Sequence, residues 1–255
     1  PMAGRADDLT RIGARIDKMA AVQEQQISAL KQVTADIAHD LKTPIQRVSV
    51  LLSQLQDKAG ENGAISDLVA RANIETEGIV KTFHSLLQIA QIEGGSPTKR
   101  FDEVDVTALA RTFCEVYEPS AEETGHTLTC DAPDRPAYVI GDKSLLGQVF
   151  ANLIENALRH TPEGAAIAVT VASDSRTIRI LVCDTGPGIP EDERENVLRR
   201  LYRLEHSRTT PGNGLGLSLV AAIVEMHDGE LALADNDPGL KVVITFPQAG
   251  VAVAG

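Results

Sequence analysis

Two runs of mostly apolar residues at heptad spacing constrain the first part of this chain more than any other feature. Leu30, Thr34, Ile37, Leu41, Pro44, Val48, Leu51 and Leu55 follow one another at steps of 4-3-4-3-4-3-4. Ile65, Val69, Ala72, Thr76, Ile79, Phe83, Leu86 and Ala90 repeat the series. Alternating steps of three and four are the a/d seam of a helix bundle. Between the runs lies the polar turn 57–63, with two glycines, and Gly94-Gly95-Ser96-Pro97 ends the second run. Two long helices joined by a short turn make an antiparallel hairpin. One hairpin buries two such seams poorly, so pairing with a second copy into a four-helix bundle, a homodimer, is expected. Pro44 falls inside the first helix, where a kink is expected.

On this register Ile37 is d and Leu41 is a, which puts His39 at f, facing away from the seam. An exposed imidazole titrates near ~6.5, so much of it is an uncharged nucleophile at neutral pH. Asp40 stands beside it to orient the ring or take its proton. Thr43, at i+4, shares its face. The layout suits transfer chemistry on an exposed nitrogen. It equally suits a neutral surface histidine.

Upstream, residues 5–22 read as helix, with Leu9, Ile12, Ile16 and Met19 at steps of 3-4-3. Continued, that register makes Leu30 an a position, whereas the His39 seam makes it d. The 11 residues from Met19 to Leu30 are one heptad plus four, a stutter that unwinds a supercoil locally.

The rest of the chain has a different rhythm. A strand is expected near 100–104 and a helix at 105–124, with Asp105 as N-cap. Short strands near 127–130 and 137–140 precede a helix at 142–160. Strands at 166–172 and 176–183 flank the turn Ser173-Asp174-Ser175. A polar stretch at 185–213 has the length and composition of a lid. A helix at 215–227 and a hairpin of strands at 230–235 and 241–246 follow. Such mixing without strict βαβ alternation points to an α/β two-layer sandwich.

Composition narrows the function. With 255 residues and 43% apolar content the chain can bury a substantial core, but 3% aromatics and no Trp make that core aliphatic. A net charge of -12 argues against nucleic-acid binding and against docking on anionic membranes. Cys114, Cys130 and Cys183 lack metal-ligand spacing, and buried thiols in a reducing compartment are the default reading. No run approaches ~18 apolar residues, so no transmembrane helix is expected within the chain, and no signal peptide is visible. Pro1 opens inside a helical pattern, so a longer protein is expected.

Three further motifs carry chemistry. In Asn152-Leu153-Ile154-Glu155-Asn156-Ala157-Leu158-Arg159-His160, the two asparagines are four apart on one helix face. Asp184-Thr185-Gly186-Pro187-Gly188-Ile189 follows a strand and lets backbone approach a ligand closely. Gly212-Asn213-Gly214-Leu215-Gly216-Leu217 opens a helix, whose free N–H groups and dipole favour phosphate. Alone, these read equally as exposed amides, a strand-to-loop turn and a glycine-rich loop.

His39-Asp40-Leu41-Lys42-Thr43-Pro44 resembles the H-box of sensor histidine kinases. The three later motifs, in their order, resemble the N, G1 and G2 boxes of the Bergerat-type (GHKL) ATP-binding fold that such kinases share with Hsp90, MutL and type II topoisomerases. Asp7-Asp8-Leu9 and the helix after it resemble the end of a HAMP linker, with a transmembrane segment upstream. The resemblance implies an all-α hairpin forming a dimeric four-helix bundle, then the α/β sandwich. The expected division is a HAMP-like helix and linker over 1–26, a dimerisation and histidine phosphotransfer domain over 27–95, and a catalytic ATP-binding domain over 99–248.

The resemblance also implies roles. His39 accepts phosphate, with Asp40 and Thr43 as catalytic neighbours, and Thr43 serves regulator dephosphorylation. Asp184 receives the adenine amino group. Asn152 holds Mg²⁺, with Asn156 beside it at the phosphates. Arg159 reaches phosphate and His160 packs on the nucleoside. Gly186, Gly188 and Ile189 start the lid under the base, while Gly212, Gly214, Leu215, Gly216 and Leu217 shape its far end. Arg203 and Arg208 are the candidates for γ-phosphate. The F-box departs from the family, since Val197-Leu198-Arg199-Arg200-Leu201-Tyr202-Arg203 has leucine where phenylalanine is usual.

The implied activity is autophosphorylation on His39 from ATP and Mg²⁺, then transfer to an aspartate of a response regulator, with regulator phosphatase activity. The implied setting is the cytoplasmic portion of an inner-membrane sensor. Two alternatives are a hydrolytic ATPase of the same fold and a non-catalytic dimeric signalling module. The hydrolytic relatives carry a glutamate where this chain has Asn152, and an amide is no base for water. The signalling module would need a broken nucleotide site.

Overall fold

The computed structural model describes residues 45–55, 63–93, 101–200, 202–204 and 214–249. The expected helix at 5–22, the stutter, the His39 motif, the kink at Pro44, the turn at 57–62 and the lid positions Arg208 and Gly212 lie outside these residues. The chain divides into two compact units, Pro1–Ser96 and Pro97–Gly255.

In the first unit, residues 45–55 are helical (α1) and Gly63–Glu93 form α2. Mid-helix hydroxyls on α2 are satisfied locally, Thr76 and Thr82 each donating to the carbonyl four residues back at 2.7 Å. Of the α2 seam, Val69 is buried and Thr76, Phe83 and Leu86 are half-buried, while Ile65 and Ile79 are exposed. Ile89, beside the seam position Ala90, is the most deeply covered. On α1, Val48, Leu51 and Leu55 are exposed as well. Among the described residues the two seams are therefore only partly covered within one chain.

The second unit is a sheet with helices packed on one face. A two-stranded ribbon pairs β1 (Asp102–Asp105) with β3 (Tyr138–Gly141), antiparallel. The main sheet has the order β2-β4-β5-β7-β6, formed by Thr127–Asp131, Ala166–Ser173, Thr177–Asp184, Leu240–Pro247 and Glu230–Asp235 respectively. Only the β2–β4 pair is parallel. Helices α3 (Val106–Glu123), α4 (Lys143–His160) and α5 (Gly216–Met226) cover the inner face. Every strand and helix expected in this unit is present, with ends displaced by one or two residues.

Period-2 alternation explains which residues meet the helices. Ile167, Val169 and Val171 of β4, Ile178, Ile180 and Val182 of β5, and Leu240, Val242, Ile244 and Phe246 of β7 are all buried. The register sets them side by side: Val169 faces Val182, which faces Val242, and Val171 faces Ile180, which faces Ile244. Against them lie Leu146, Phe150, Leu153 and Ile154 of α4 and Leu219 and Ile223 of α5, all close to fully buried. Burying each such aliphatic side chain contributes about 1.5–3 kcal/mol.

The helix starts are set by aspartates. Asp105 accepts from Thr107 N–H and Ala108 N–H at 3.0 and 3.2 Å, the expected N-cap. Asp142 does the same for α4, from Ser144 and Leu145 N–H at 2.8 and 3.2 Å. The expected lid is not wholly irregular, because Glu191–Glu193 and Asn196–Leu198 each form one 3₁₀ turn.

Candidate nucleotide site

The buried alternation of β5 runs Ile178, Ile180, Val182 and then Asp184. Strand period thus carries a carboxylate onto the inner face, where it is 8% exposed. A buried carboxylate is costly unless hydrogen-bonded. Here Oδ1 accepts from Gly186 N–H at 2.8 Å and from Leu240 N–H at 3.2 Å. Both bonds use one oxygen, which leaves Oδ2 for a donor on a ligand. The Asp184 carbonyl accepts from Asn236 Nδ2 at 2.8 Å, tying the strand end to the β6–β7 turn.

Two glycines make this packing feasible. Gly188 sits at φ +69°, and a Cβ there would lie 2.9 Å from the Gly239 carbonyl oxygen. Gly239, at φ +117°, would place a Cβ 1.8 Å from the Asp184 carbonyl oxygen. Gly186 is buried, its α-carbon packed against Thr161 and the Asp184 carboxylate.

On α4, Asn152 and Asn156 lie half-buried one turn apart. Asn152 Nδ2 is buried without a hydrogen-bond partner. A Cβ on Gly216 would lie 4.0 Å from Asn152 Oδ1, so this amide adjoins the first residue of α5. That helix has Leu215 at its N-cap position and no side-chain cap bond. Its leading N–H groups are left for an anion. Gly214, at φ +64°, turns the chain into it. Leu215 is buried and Leu217 half-buried beside it.

Electrostatics links the remaining members. Burial pushes the His160 pKa below the usual histidine value, the charges of Arg159 and Arg203 push the same way, and Asp184 opposes them. These four side chains therefore share one environment. Ile189 closes the loop, its carbonyl accepting from Arg194 Nε at 3.2 Å. The lid is anchored where phenylalanine is missing: Val197 is buried and its 3₁₀ turn packs on α5, while Tyr202 Oη donates to Glu193.

Glu155 faces elsewhere. It accepts from Tyr117 Oη at 2.7 Å and has Arg159 3.9 Å away. Three groups escaped the sequence reading: Asn236, the Leu240 N–H and Gly239. The available signal is the Asn236-Asp237-Pro238-Gly239 turn between the two hairpin strands, whose Pro-Gly pair marks a turn but not what it packs on.

The geometry agrees with what the chain is similar to. Residues 141–250 match the family "Histidine kinase-, DNA gyrase B-, and HSP90-like ATPase", and residues 29–95 match the "His Kinase A (phospho-acceptor) domain". The signal transduction histidine-protein kinase BaeS of Escherichia coli is 28% identical over 94% of this chain and 52% of its own length. The mycobacterial sensor histidine kinase MprB, a solved structure, is 31% identical over 58% of this chain and 97% of that one, with a TM-score of 0.50. Full-length ShkA, solved in complex with AMPPNP, shares the fold at a TM-score of 0.71 and 21% identity, over 87% of this chain and 47% of that one. The chain belongs to the sensor histidine kinase family. It spans about half the length of the curated relatives it matches.

Proposed function

We propose that this chain binds ATP in the second unit and transfers its γ-phosphate to His39, from which the phosphate passes to an aspartate of a response regulator. The observation that carries the reading is the pairing of a buried, one-sidedly bonded Asp184 with an unpartnered Asn152 amide at an uncapped helix N-terminus. The first suits an exocyclic amine, the second a phosphate chain and its cation.

In this reading Asp184 Oδ2 accepts from the adenine amino group, and Gly186, Gly188 and Ile189 shape the floor under the base. His160, kept neutral by burial and by Arg159 and Arg203, packs on the nucleoside. Arg159 and Arg203 are assigned to the phosphates, and Arg208 is the further candidate for the γ-phosphate. Gly212, Gly214, Leu215, Gly216 and Leu217 bring the α5 N–H groups to them. Mg²⁺ takes hard oxygen donors, and the amide oxygens of Asn152 and Asn156 are of that kind. Bound there, it neutralises charge on the transferring phosphoryl group. The His39 nitrogen attacks phosphorus, a P–N bond forms and the P–O bond to ADP breaks, while Asp40 takes the ring proton. Thr43 serves removal of phosphate from the regulator.

Hydrolysis is the weaker reading. Asn152 stands where the hydrolytic relatives have glutamate, and Glu155 is held by Tyr117 and lies by Arg159. We divide the chain into a HAMP-like end at 1–26, a dimerisation and phosphotransfer domain at 27–95 and a catalytic domain at 99–248. The working protein is a homodimer, the cytoplasmic part of an inner-membrane sensor. Among the described residues no helix is long and apolar enough to cross a membrane. Calorimetric titration with ATP tests the site. Asp184→Asn should weaken binding by roughly 10–100-fold, the worth of a hydrogen bond to a charged group. Unchanged affinity would remove Asp184 from the site.

A further inference from the structure

A pair of thiols lies apart from the nucleotide residues. Cys114 is buried on α3, and Cys130 is exposed on β2, the edge strand of the main sheet. The turn at 124–126 folds α3 back onto β2, with His126 N–H bonded to the Ala121 carbonyl at 2.8 Å. The two cysteines line one surface cleft of about 150 Å³, with Arg111, Glu115, Glu118 and Leu128. Helix α3 packs on β2, and both cysteines meet at that cleft. Arg111 is occupied beside them, donating to the Ala132 and Pro133 carbonyls at 3.1 and 2.9 Å and to Asp134 at 3.3 Å.

We propose that Cys114 and Cys130 are a redox site that hydrogen peroxide oxidises to a reversible intrachain disulfide, stapling the edge strand β2 to α3. The accessible Cys130 sulfur attacks a peroxide oxygen and gives up its proton. The O–O bond breaks, a sulfenic acid forms and one water leaves. The Cys114 sulfur then attacks the Cys130 sulfur, the S–O bond breaks and a second water leaves with the remaining proton. Two thiols lose two electrons and the peroxide becomes two waters. Burial, the Cys130 thiol and the carboxylates of Glu115 and Glu118 push the Cys114 thiol up, which leaves the exposed Cys130 as the sulfur that meets peroxide first. The staple falls on a helix that also backs the nucleotide residues, since Phe113 stacks on Phe150 and Tyr117 bonds Glu155.

The test treats the chain with hydrogen peroxide, counts free thiols and maps peptides. The expected product has lost two thiols and carries a Cys114–Cys130 crosslink that dithiothreitol reverses, while Cys183 still alkylates. In Cys114→Ala the crosslink is absent and dimedone traps Cys130. Cys130→Ser, at an exposed position, leaves Cys114 unreactive at the same peroxide dose. Over-oxidation of Cys130 with Cys114 still free, or Cys130–Cys130 dimers as the parent's main product, would overturn the proposal. Should Cys114→Ala fail to fold, the parent's peptide map decides alone.

Discussion

Asp184 shows how one residue's role follows from strand register. It occupies the fourth place in a buried alternation whose first three members are aliphatic, and two backbone N–H groups compensate its burial on one oxygen only. The aspartate was legible in sequence from the glycines that follow it. The donors that position it were not, because Leu240 and Asn236 lie more than fifty residues on and nothing local links them. His227 is a second case that sequence left silent. Its ring is 2% exposed, stacked on Phe101 at 4.8 Å and edge-on to Phe246 at 6.4 Å. Nε2 accepts from Asp142 N–H at 3.0 Å, and Nδ1 donates to the Ile223 carbonyl at 2.7 Å. One acceptor and one donor require the neutral ring. Burial lowers its pKa below 6.5, against the Ile223 carbonyl and the charges of Asp142 and Asp228. The unfolded chain therefore binds the proton first as pH falls. The stability that His227 contributes is full above about 6.5 and is lost as pH drops towards the lower folded value. Urea unfolding should show this decline, and His227→Gln should flatten it in part, since His160 shifts in the same direction. An unchanged slope in the variant would contradict the assignment.

At the scale of elements, the site is a junction between α4, the end of β5, the start of α5 and the β6–β7 turn. The sequence made α3 and α4 legible to within a residue or two, with Asp105 as the cap of α3, while the Asp142 cap of α4 came only with the structure. The lid was legible as a polar interval, but not its two 3₁₀ turns, which rest on tertiary packing of Val197 and on Glu193 binding Asn196 and Tyr202. The β6–β7 turn was the larger omission. Its Gly239 has φ +117° and its α-carbon lies against the backbone of Asp184 and Thr185. Gly239→Ala should destabilise the second unit by about 1–3 kcal/mol, the range for forced backbone conformations. ATP affinity should fall with it, because the Leu240 N–H would move away from Asp184. Denaturant midpoints and nucleotide titration check both halves, and a variant with parental values of each would show that the turn is dispensable.

For the whole molecule, on the proposed reading, the heptad seams set the assembly and the second unit supplies the phosphoryl donor. Ile65 and Ile79 on α2 and Val48, Leu51 and Leu55 on α1 remain exposed within one chain, as the incomplete burial of a single hairpin anticipates. Ile79→Glu puts a charge on that seam at a position that is already open to solvent in the single chain. It should leave folding intact and weaken dimerisation by about 2 kcal/mol, roughly thirtyfold in dissociation constant. Sedimentation equilibrium reads this directly, and an unaffected dimer would move the interface elsewhere. The phosphoacceptor is the claim on which the rest converges, and one measurement addresses it. The chain and its His39→Gln variant are incubated with γ-labelled ATP and Mg²⁺, and the labelled protein is then exposed to acid or base. The account predicts label on the parent chain that acid removes and base preserves, and none on the variant although it still binds ATP. Label persisting on His39→Gln, or an acid-stable phosphoprotein, would contradict it.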